Sequence, residues 1–110
     1  MADFPNAIQY IACDVTDTKA IKPMVAQAAS TFGPIHTLFN NAAIFDMAPL
    51  LESNEAMYDK IFSVNVKGAF FVMQAVLQHM VDSGTRGAVV NMASQAGRRG
   101  EALVSHYCAS

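Results

Sequence analysis

Polar side chains follow three short runs that are rich in apolar β-forming residues. They are Asp14 after the first run, Asn40 and Asn41 at the end of the second, and Ser94 after the third. Turn chemistry would explain one such group, because Asn, Asp and Ser favour turns and caps. If the runs are parallel strands of one open sheet, however, their carboxyl ends share the crevice in which such sheets bind ligands. The pattern favours a binding site, with turn chemistry as the alternative.

A second candidate is an amide inside a long apolar helical pattern. Asn65 lies one turn from Ile61 and from Gly68, so it faces the apolar side. A buried amide without hydrogen-bond partners costs about 1–3 kcal/mol, and glycine costs about 1 kcal/mol relative to alanine in a helix. Both residues indicate a close approach of another backbone segment or of a ligand. The alternative is a satisfied amide that ties the helix to a strand.

Tyr107 is the third candidate, because it meets Ser94 if the loop between them folds back. A tyrosine, with an ordinary pKa of about 10, acts as acid or base at neutral pH only beside a cation that stabilises its phenolate. On a helix that begins at Tyr107, the cation would stand three or four residues later, where the printed chain ends with Ser110. A packing role is the alternative for a tyrosine seen alone.

Composition narrows the class of protein. The 110 residues suit one domain, and 53% of them are hydrophobic. A net charge of -2 and a single basic pair, Arg98–Arg99, predict no nucleic-acid and no anionic-membrane partner. Cys13 and Cys108 lack metal-ligand spacing, so we expect no metal and two free thiols in a reducing cytoplasm. No run reaches the roughly 20 apolar residues of a membrane span, and the N-terminus lacks signal-peptide features.

The elements that position these side chains alternate along the chain. We predict strands at 7–13, 35–40 and 88–93, a helix at 15–33, a second from Ser53 or Asn54 to about His79, and a last helix opened by Tyr107 after a loop. Both long helices are crossovers of the length that parallel strands need. The fold class is therefore α/β, with a parallel sheet and right-handed βαβ units.

Local signals mark the ends of the first predicted helix. Thr16 or Asp17 is the candidate N-cap, and Gly33 is the candidate terminator. Pro23 must lie near the first turns or kink the helix. The second helix has a wide apolar face, which predicts that it is covered on several sides.

Four segments resemble, in order, the motifs of the short-chain dehydrogenase/reductase family. "NNAAIFD" (40–46) resembles the Asn-Asn-Ala-Gly segment, with Ala43 at the usual glycine, and "NVKGAFF" (65–71) resembles the helix that carries the catalytic Asn. "VVNMAS" (89–94) resembles the strand that ends in the catalytic Ser, and "YCAS" (107–110) resembles the Tyr-x-x-x-Lys motif up to its Lys. Tyr107 also falls thirteen positions after Ser94, as the family pattern expects.

The resemblance implies a role for each matching residue. Asn65 would anchor the water of a proton relay, Ser94 would hydrogen-bond the reacting oxygen, and Tyr107 would exchange its proton. The implied cofactor contacts are Asp14 and Val15 at the adenine, Asn41, which would also brace the sheet, and Ala42, Ala43 and Tyr107. Residues 1–110 would then be the central part of a Rossmann-like, doubly wound parallel sheet, an NAD(P)-binding domain whose glycine-rich βα unit and C-terminal part lie outside this sequence.

Within the family, residues 40–50 and 91–110 are most similar to polyol dehydrogenases of the sorbitol type. This similarity implies oxidation of a secondary alcohol of a sugar alcohol to a ketose with NAD, in a cytoplasmic enzyme whose full-length form is a homo-oligomer paired through the long helix. NADP is not excluded, because the selecting residue would precede residue 1. A 3-oxoacyl thioester or steroid reductase is the alternative within the family.

The lysine and the glycine-rich turn of the family are not among the 110 residues. We therefore expect the printed chain alone to be inactive. The alternative from another class is a non-catalytic remnant that binds a partner through uncovered sheet edges.

Overall fold

A computed structural model describes residues 6–110; residues 1–5, which belong to the predicted domain and to the N-terminus inspected for a signal peptide, lie outside the described residues. The helices are α1 (Thr18–Phe32), α2 (Glu55–Phe62), α3 (Ala69–Asp82), α4 (Ala96–Arg99) and α5 (Ser105–Ala109), and the strands are β1 (Thr37–Asn40) and β2 (Ala88–Asn91). A 3₁₀ turn spans Leu50–Glu52. A π-helical turn, Ser63–Gly68, joins α2 and α3 into one continuous helix, Glu55–Asp82, called the long helix below.

Helix α1 begins and ends at two of the residues that its sequence marks. The Asp17 side chain caps it by accepting a hydrogen bond from the Lys19 N–H at 3.3 Å. Gly33 ends it with a positive φ of 88°, a conformation that glycine adopts without strain. Pro23 stands inside the helix, in its second turn. The predicted helix is confirmed.

The two strands form a parallel pair. Thr37 lies opposite Ala88 and Asn40 opposite Asn91. Because the long helix connects β1 to β2, these three elements make one βαβ unit. The α/β prediction is therefore confirmed for this part of the chain, with each strand two residues shorter than its pattern indicated.

The strand predicted at 7–13 does not form in this structure. Within the described residues the sheet contains only β1 and β2, and residues 8–13 join neither strand. The physical reason is that a strand exists through the backbone hydrogen bonds of a neighbour, and no described segment lies in register beside this one. Smaller differences occur near the C-terminus, where the predicted loop contains α4 and the last helix begins at Ser105, before Tyr107.

The apolar core lies between α1 and the long helix. It is a cluster of buried side chains from these two helices, namely Ile21, Val25, Val72, Ala75, Val76 and Met80. Val15 packs against this cluster just before α1. A Cβ atom at Gly68 would lie 2.7 Å from Val15 Cγ2 and 3.1 Å from the Val15 carbonyl oxygen. The close approach predicted at Gly68 is thus real, and its partner is the backbone and side chain of Val15.

The other side of the long helix is not covered by the described part of the chain. Phe70, Leu77 and Val81 are exposed there, contrary to the expectation that several sides are packed. Among the described elements, α1 and β1 supply the main packing against α3, and these three side chains stay outside it. By length and composition, this 28-residue helix also meets the criterion for a membrane span, which we did not expect from the sequence. Core helices of soluble proteins meet the same criterion, so it does not assign the helix to a membrane.

Candidate active site

A cavity of about 440 Å³ opens at the carboxyl ends of β1 and β2. Its volume lies within the range of about 300–1,000 Å³ that is usual for small-molecule sites. Six residues predicted as site residues line it: Asn41, Ala42, Ala43, Asn65, Ser94 and Tyr107. The other lining residues include Asn40, Asn91, Phe70 and Met73. We call this cavity the pocket; it stands where an open α/β sheet binds its ligands.

Asn65 connects the long helix to the loop that follows β1. Its Oδ1 accepts a hydrogen bond from the Ile44 N–H at 2.8 Å, and its Nδ2 donates to the Ile44 carbonyl oxygen at 3.0 Å. Nδ2 also donates to Ser110 Oγ at 3.2 Å. The Asn65 amide is therefore satisfied, and it binds both the backbone N–H and the carbonyl oxygen of Ile44. The alternative considered from the sequence was a satisfied amide that ties the helix to a strand; the amide is satisfied, and it ties the helix to the loop after β1.

The helical path changes around Asn65. Ser63–Gly68 is a π-helical turn, whereas the apolar spacing predicted an uninterrupted α-helix. Such turns accommodate a locally wider helix and are frequent at functional sites. This one contains both Asn65 and Gly68, the two residues whose types are unfavourable in a plain apolar helix.

Asn40 and Asn91 brace the ends of the two strands. Asn40 Nδ2 donates to the Ala69 carbonyl oxygen at 2.8 Å and to Asn91 Oδ1 at 3.2 Å. These bonds join β1, β2 and α3 at the floor of the pocket. The resemblance gives the bracing role to Asn41, whereas in the structure the side chain that reaches α3 and β2 is that of Asn40, the last residue of β1. Asn41 itself is exposed and lines the pocket.

Ser94 and Tyr107 are brought to the same pocket by different elements. Ser94 lies three residues after β2, and its Oγ accepts a hydrogen bond from the Ala96 N–H at 3.2 Å. The Ser94 hydroxyl proton therefore stays available to a group in the pocket. Tyr107 lies in α5 and is partly buried. Its ring meets the ring of Phe45 edge to face, with centroids 4.9 Å apart.

Asp14 and Val15 do not line the pocket. Asp14 Oδ1 accepts hydrogen bonds from the Thr16 hydroxyl at 2.7 Å and from the Thr16 N–H at 2.9 Å. The hydroxyl bond first, and then the backbone bond, hold the pKa of Asp14 below its ordinary value. Val15 packs against Gly68 instead of standing free at the sheet edge. Their assignment to the adenine remains a prediction.

Comparison with known proteins decides the family. The family model described as "short chain dehydrogenase" matches residues 2–110. The chain belongs to the short chain dehydrogenase family. The resemblance inferred from the four motifs is therefore confirmed.

Two curated relatives of this short chain dehydrogenase act on sugar alcohols by their names. Over 109 residues the chain is 52% identical to the sorbitol dehydrogenase of Cereibacter sphaeroides, covering 99% of this chain and 43% of the relative. It is 49% identical over 104 residues to the galactitol 2-dehydrogenase of Agrobacterium fabrum strain C58, covering 94% and 41%. The predicted similarity to the sorbitol type is confirmed. The chain spans about two fifths of the length of both relatives.

Solved structures share its fold. A short-chain type dehydrogenase/reductase from Mycobacterium marinum superposes with a TM-score of 0.85 at 33% identity, covering 90% of this chain and 41% of that one. An NAD⁺-bound xylitol dehydrogenase gives 0.83 at 35% identity, covering 88% and 37%. The βαβ unit described above is therefore part of a Rossmann-like fold, as predicted.

The sequence of this short chain dehydrogenase did not predict the contacts of three residues, Asn91, Phe45 and His79, of which only Asn91 lines the pocket. Asn91, which pairs with Asn40, stood inside a predicted strand, although an amide at a strand end is a signal that could have shown it. Phe45 was quoted only as part of a motif. His79 belongs to the apolar face of the predicted helix. Its Nε2 accepts a hydrogen bond from the Ile35 N–H at 3.1 Å, which connects α3 to the segment just before β1. Among residues 6–110, no cluster of three or more His, Cys, Asp or Glu side chains is placed to hold a metal ion.

Proposed function

We propose that the protein containing this chain transfers a hydride between a secondary alcohol of a sugar alcohol and NAD or NADP. The observation that carries the proposal is the pocket at the strand ends, where Asn65, Ser94 and Tyr107 converge in a member of this family. The names of the sorbitol and galactitol relatives support a sugar alcohol as the substrate. The NAD⁺-bound xylitol dehydrogenase supports the cofactor class.

The proposed acid–base chemistry uses two hydroxyl groups of this chain. Tyr107 would take the proton of the substrate hydroxyl during oxidation and return it during reduction of the ketose. Ser94 Oγ already accepts the Ala96 N–H, so its own proton can be donated to the substrate oxygen and fix that oxygen near Tyr107. The cofactor, when bound, accepts or supplies the hydride at the neighbouring carbon.

The end of β1 fits the cofactor that the family implies. Asn41, Ala42 and Ala43 are exposed and line the pocket in sequence. Two alanines leave room for a ring to approach the backbone, and the exposed amide offers both a donor and an acceptor. We assign these three residues, with Tyr107, to the nicotinamide half of the cofactor, and Asp14 and Val15 to the adenine half.

Asn65 would act mainly through the backbone that it holds. Its amide is engaged by Ile44, so it fixes the loop after β1 against the long helix. We assign the anchoring of a relay water to the π-helical turn Ser63–Gly68, which contains Asn65. The backbone hydrogen bonds of this turn differ from those of an α-helix.

We further propose that residues 1–110 belong to one NAD(P)-binding domain of a longer cytoplasmic enzyme, and that this enzyme is a homo-oligomer. The exposed side of the long helix, with Phe70, Leu77 and Val81, supports pairing through that helix. Within the printed sequence no lysine follows Tyr107 to stabilise its phenolate, so we expect the 110 residues alone to be inactive. The alternative, a non-catalytic remnant that binds a partner, would instead use the uncovered edges of the β1–β2 sheet.

A substrate panel tests the proposed function. The longer protein encoded at this locus is assayed with sorbitol, galactitol and xylitol, with each of NAD and NADP, and in reverse with ketoses. A 3-oxoacyl thioester and a ketosteroid are included, because activity on these alone would replace the polyol assignment within the family. The purified 110-residue chain is assayed beside it; turnover by that chain alone would contradict its expected inactivity.

No turnover of any alcohol or ketone by the longer protein, despite measured binding of NAD or NADP, would overturn the oxidoreductase proposal. Isothermal titration with each dinucleotide supplies that binding measurement independently of catalysis.

A further inference from the structure

Phe45 is an exposed aromatic residue that contacts the proposed acid–base residue. The planes of the Phe45 and Tyr107 rings are inclined by 80°, and their centroids lie 4.9 Å apart. This is the edge-to-face geometry that aromatic pairs prefer. Tyr107 lines the pocket, whereas Phe45 contacts the Tyr107 ring without being one of the lining residues.

The loop that carries Phe45 is tied down on both sides of it. Immediately before it, both polar backbone groups of Ile44 are hydrogen-bonded to the Asn65 side chain. Three residues after it, the Ala48 N–H donates to the Leu103 carbonyl oxygen at 2.7 Å, just ahead of α5. Leu103 has a φ of 67°, which is uncommon for a leucine, so the local structure holds the segment before α5 in one conformation.

These ties hold the loop that carries Phe45 beside the Tyr107 ring. A helix backbone leaves a tyrosine side chain more than one staggered rotamer. The orientation of the Tyr107 ring therefore depends on what packs against it. Within residues 6–110, Phe45 is the aromatic ring recorded in contact with it.

We infer that Phe45 is a positioning residue, which holds the Tyr107 ring so that its hydroxyl faces the pocket and the Ser94 side. This inference rests on the proposed function. Loss of the Phe45 ring would let Tyr107 sample other rotamers and reduce the fraction of enzyme in the reactive geometry. Because kcat is the product of that fraction and the rate constant of the chemical step, kcat falls while the KM for substrate changes little.

The test uses the longer protein with Phe45→Leu, which removes the ring and keeps an apolar side chain. Phe32→Leu is the matched control, because Phe32 at the end of α1 is equally exposed, at 57% for both side chains. We expect kcat for the polyol to fall about 10-fold to 100-fold in Phe45→Leu, as lost alignment does, and to stay within about twofold in Phe32→Leu.

Two further readouts separate positioning from a general loss of stability. With a substrate deuterated at the reacting carbon, the isotope effect on kcat should rise in Phe45→Leu, because hydride transfer becomes more limiting. Phe45→Tyr retains the ring edge and should restore kcat to within about threefold of the parent. Equal kcat and isotope effect in Phe45→Leu and Phe32→Leu would overturn the inference.

A measurement without turnover keeps this inference separate from the proposed function. With 3-fluorotyrosine incorporated, the ¹⁹F signal of Tyr107, identified by its loss in Tyr107→Phe, should shift and narrow toward an averaged value in Phe45→Leu only. If the parent protein turns over no alcohol, the proposed function fails, and this signal alone decides whether Phe45 orients the ring. An unchanged signal in Phe45→Leu would then refute it.

Discussion

The pocket and the segment around Asp14 differ in how they are attached to the rest of the molecule. In the pocket, side chains of one element bond to the backbone of another: Asn65 to Ile44, and Asn40 to Ala69. Around Asp14, the hydrogen bonds are local, since the carboxylate is satisfied by Thr16 two residues later. Both regions are expected to contact one cofactor, but only the pocket is assembled by hydrogen bonds between distant parts of the chain.

This difference shows what holds a strand end in place. β1 and β2 support each other through a parallel ladder, and their terminal amides then bridge to the long helix. Residues 8–13 have no ladder in the described chain, so the position of Asp14 depends on Val15 packing against Gly68. Substitutions in the pocket should therefore affect activity and stability far more than substitutions near Asp14.

The largest effect is expected at Tyr107. Tyr107→Phe removes the proton-exchanging hydroxyl and keeps the ring packed on Phe45. We expect kcat of the longer protein to fall on the order of 10³-fold, as loss of a general acid–base does, with little change in melting temperature. Tyr58→Phe is the control, because Tyr58 is stacked on Phe62, away from the pocket lining. Equal activity of the two variants would show that Tyr107 does not carry the proton.

The next effect is on folding and concerns Asn65. Asn65→Leu leaves the N–H and carbonyl groups of Ile44 without their partners, and we expect the free energy of unfolding to drop by about 2 kcal/mol. Urea denaturation of the longer protein measures it. Gln27→Leu, the same kind of change on the exposed side of α1, should stay within about 0.5 kcal/mol of the parent. An equal drop in both variants would show that the two hydrogen bonds between Asn65 and Ile44 make no particular contribution to stability.

A smaller effect is expected where the two regions touch. Gly68→Ala would place a methyl group 2.7 Å from Val15 Cγ2, and the gain in helix propensity offsets part of the overpacking. We expect a net loss of about 1 kcal/mol. Because the contact is with Val15, the double variant with Val15→Ala should lose less than the sum of the single changes.

Gly97→Ala is the control for this helix position, because its added methyl would have only one neighbour within 4 Å, the Cys108 oxygen at 3.9 Å. Additive behaviour of the Gly68 and Val15 changes in denaturation would show that the close contact does not couple the two regions.

The smallest effect belongs to Asp14 and depends on pH. Its pKa in the folded protein lies below the ordinary value of 3.8, so its ionised form is favoured by folding. Its contribution to stability is therefore present above pH 3.8 and is lost as pH falls through the lowered folded value. Asp14→Asn should lower the melting temperature slightly at pH 7, and this difference should shrink below pH 4. A difference that grows with acidification would contradict the assigned direction.

Much of this molecule follows from short-range signals in the chain. Asp17 and Gly33 end α1 through capping and positive φ, effects that need no tertiary contact. Alternation of apolar runs with helical periods was enough for the α/β class and the β1–β2 pairing. Four motifs at family spacing were enough to name Asn41, Asn65, Ser94 and Tyr107 together, and all four line one pocket.

Other features depend on which segments meet in space. An apolar run such as 7–13 carries strand propensity whether or not a neighbour exists, and only the assembled sheet shows that the described chain supplies none. Which asparagine braces the sheet, Asn40 or Asn41, depends on which side chain lies within reach of the Ala69 carbonyl oxygen in α3. Three contacts join residues that are far apart in sequence: Val15 with Gly68, Ile44 with Asn65, and Phe45 with Tyr107. Residue types reveal that such groups need partners, and tertiary packing selects the partners because it alone sets the distances between them.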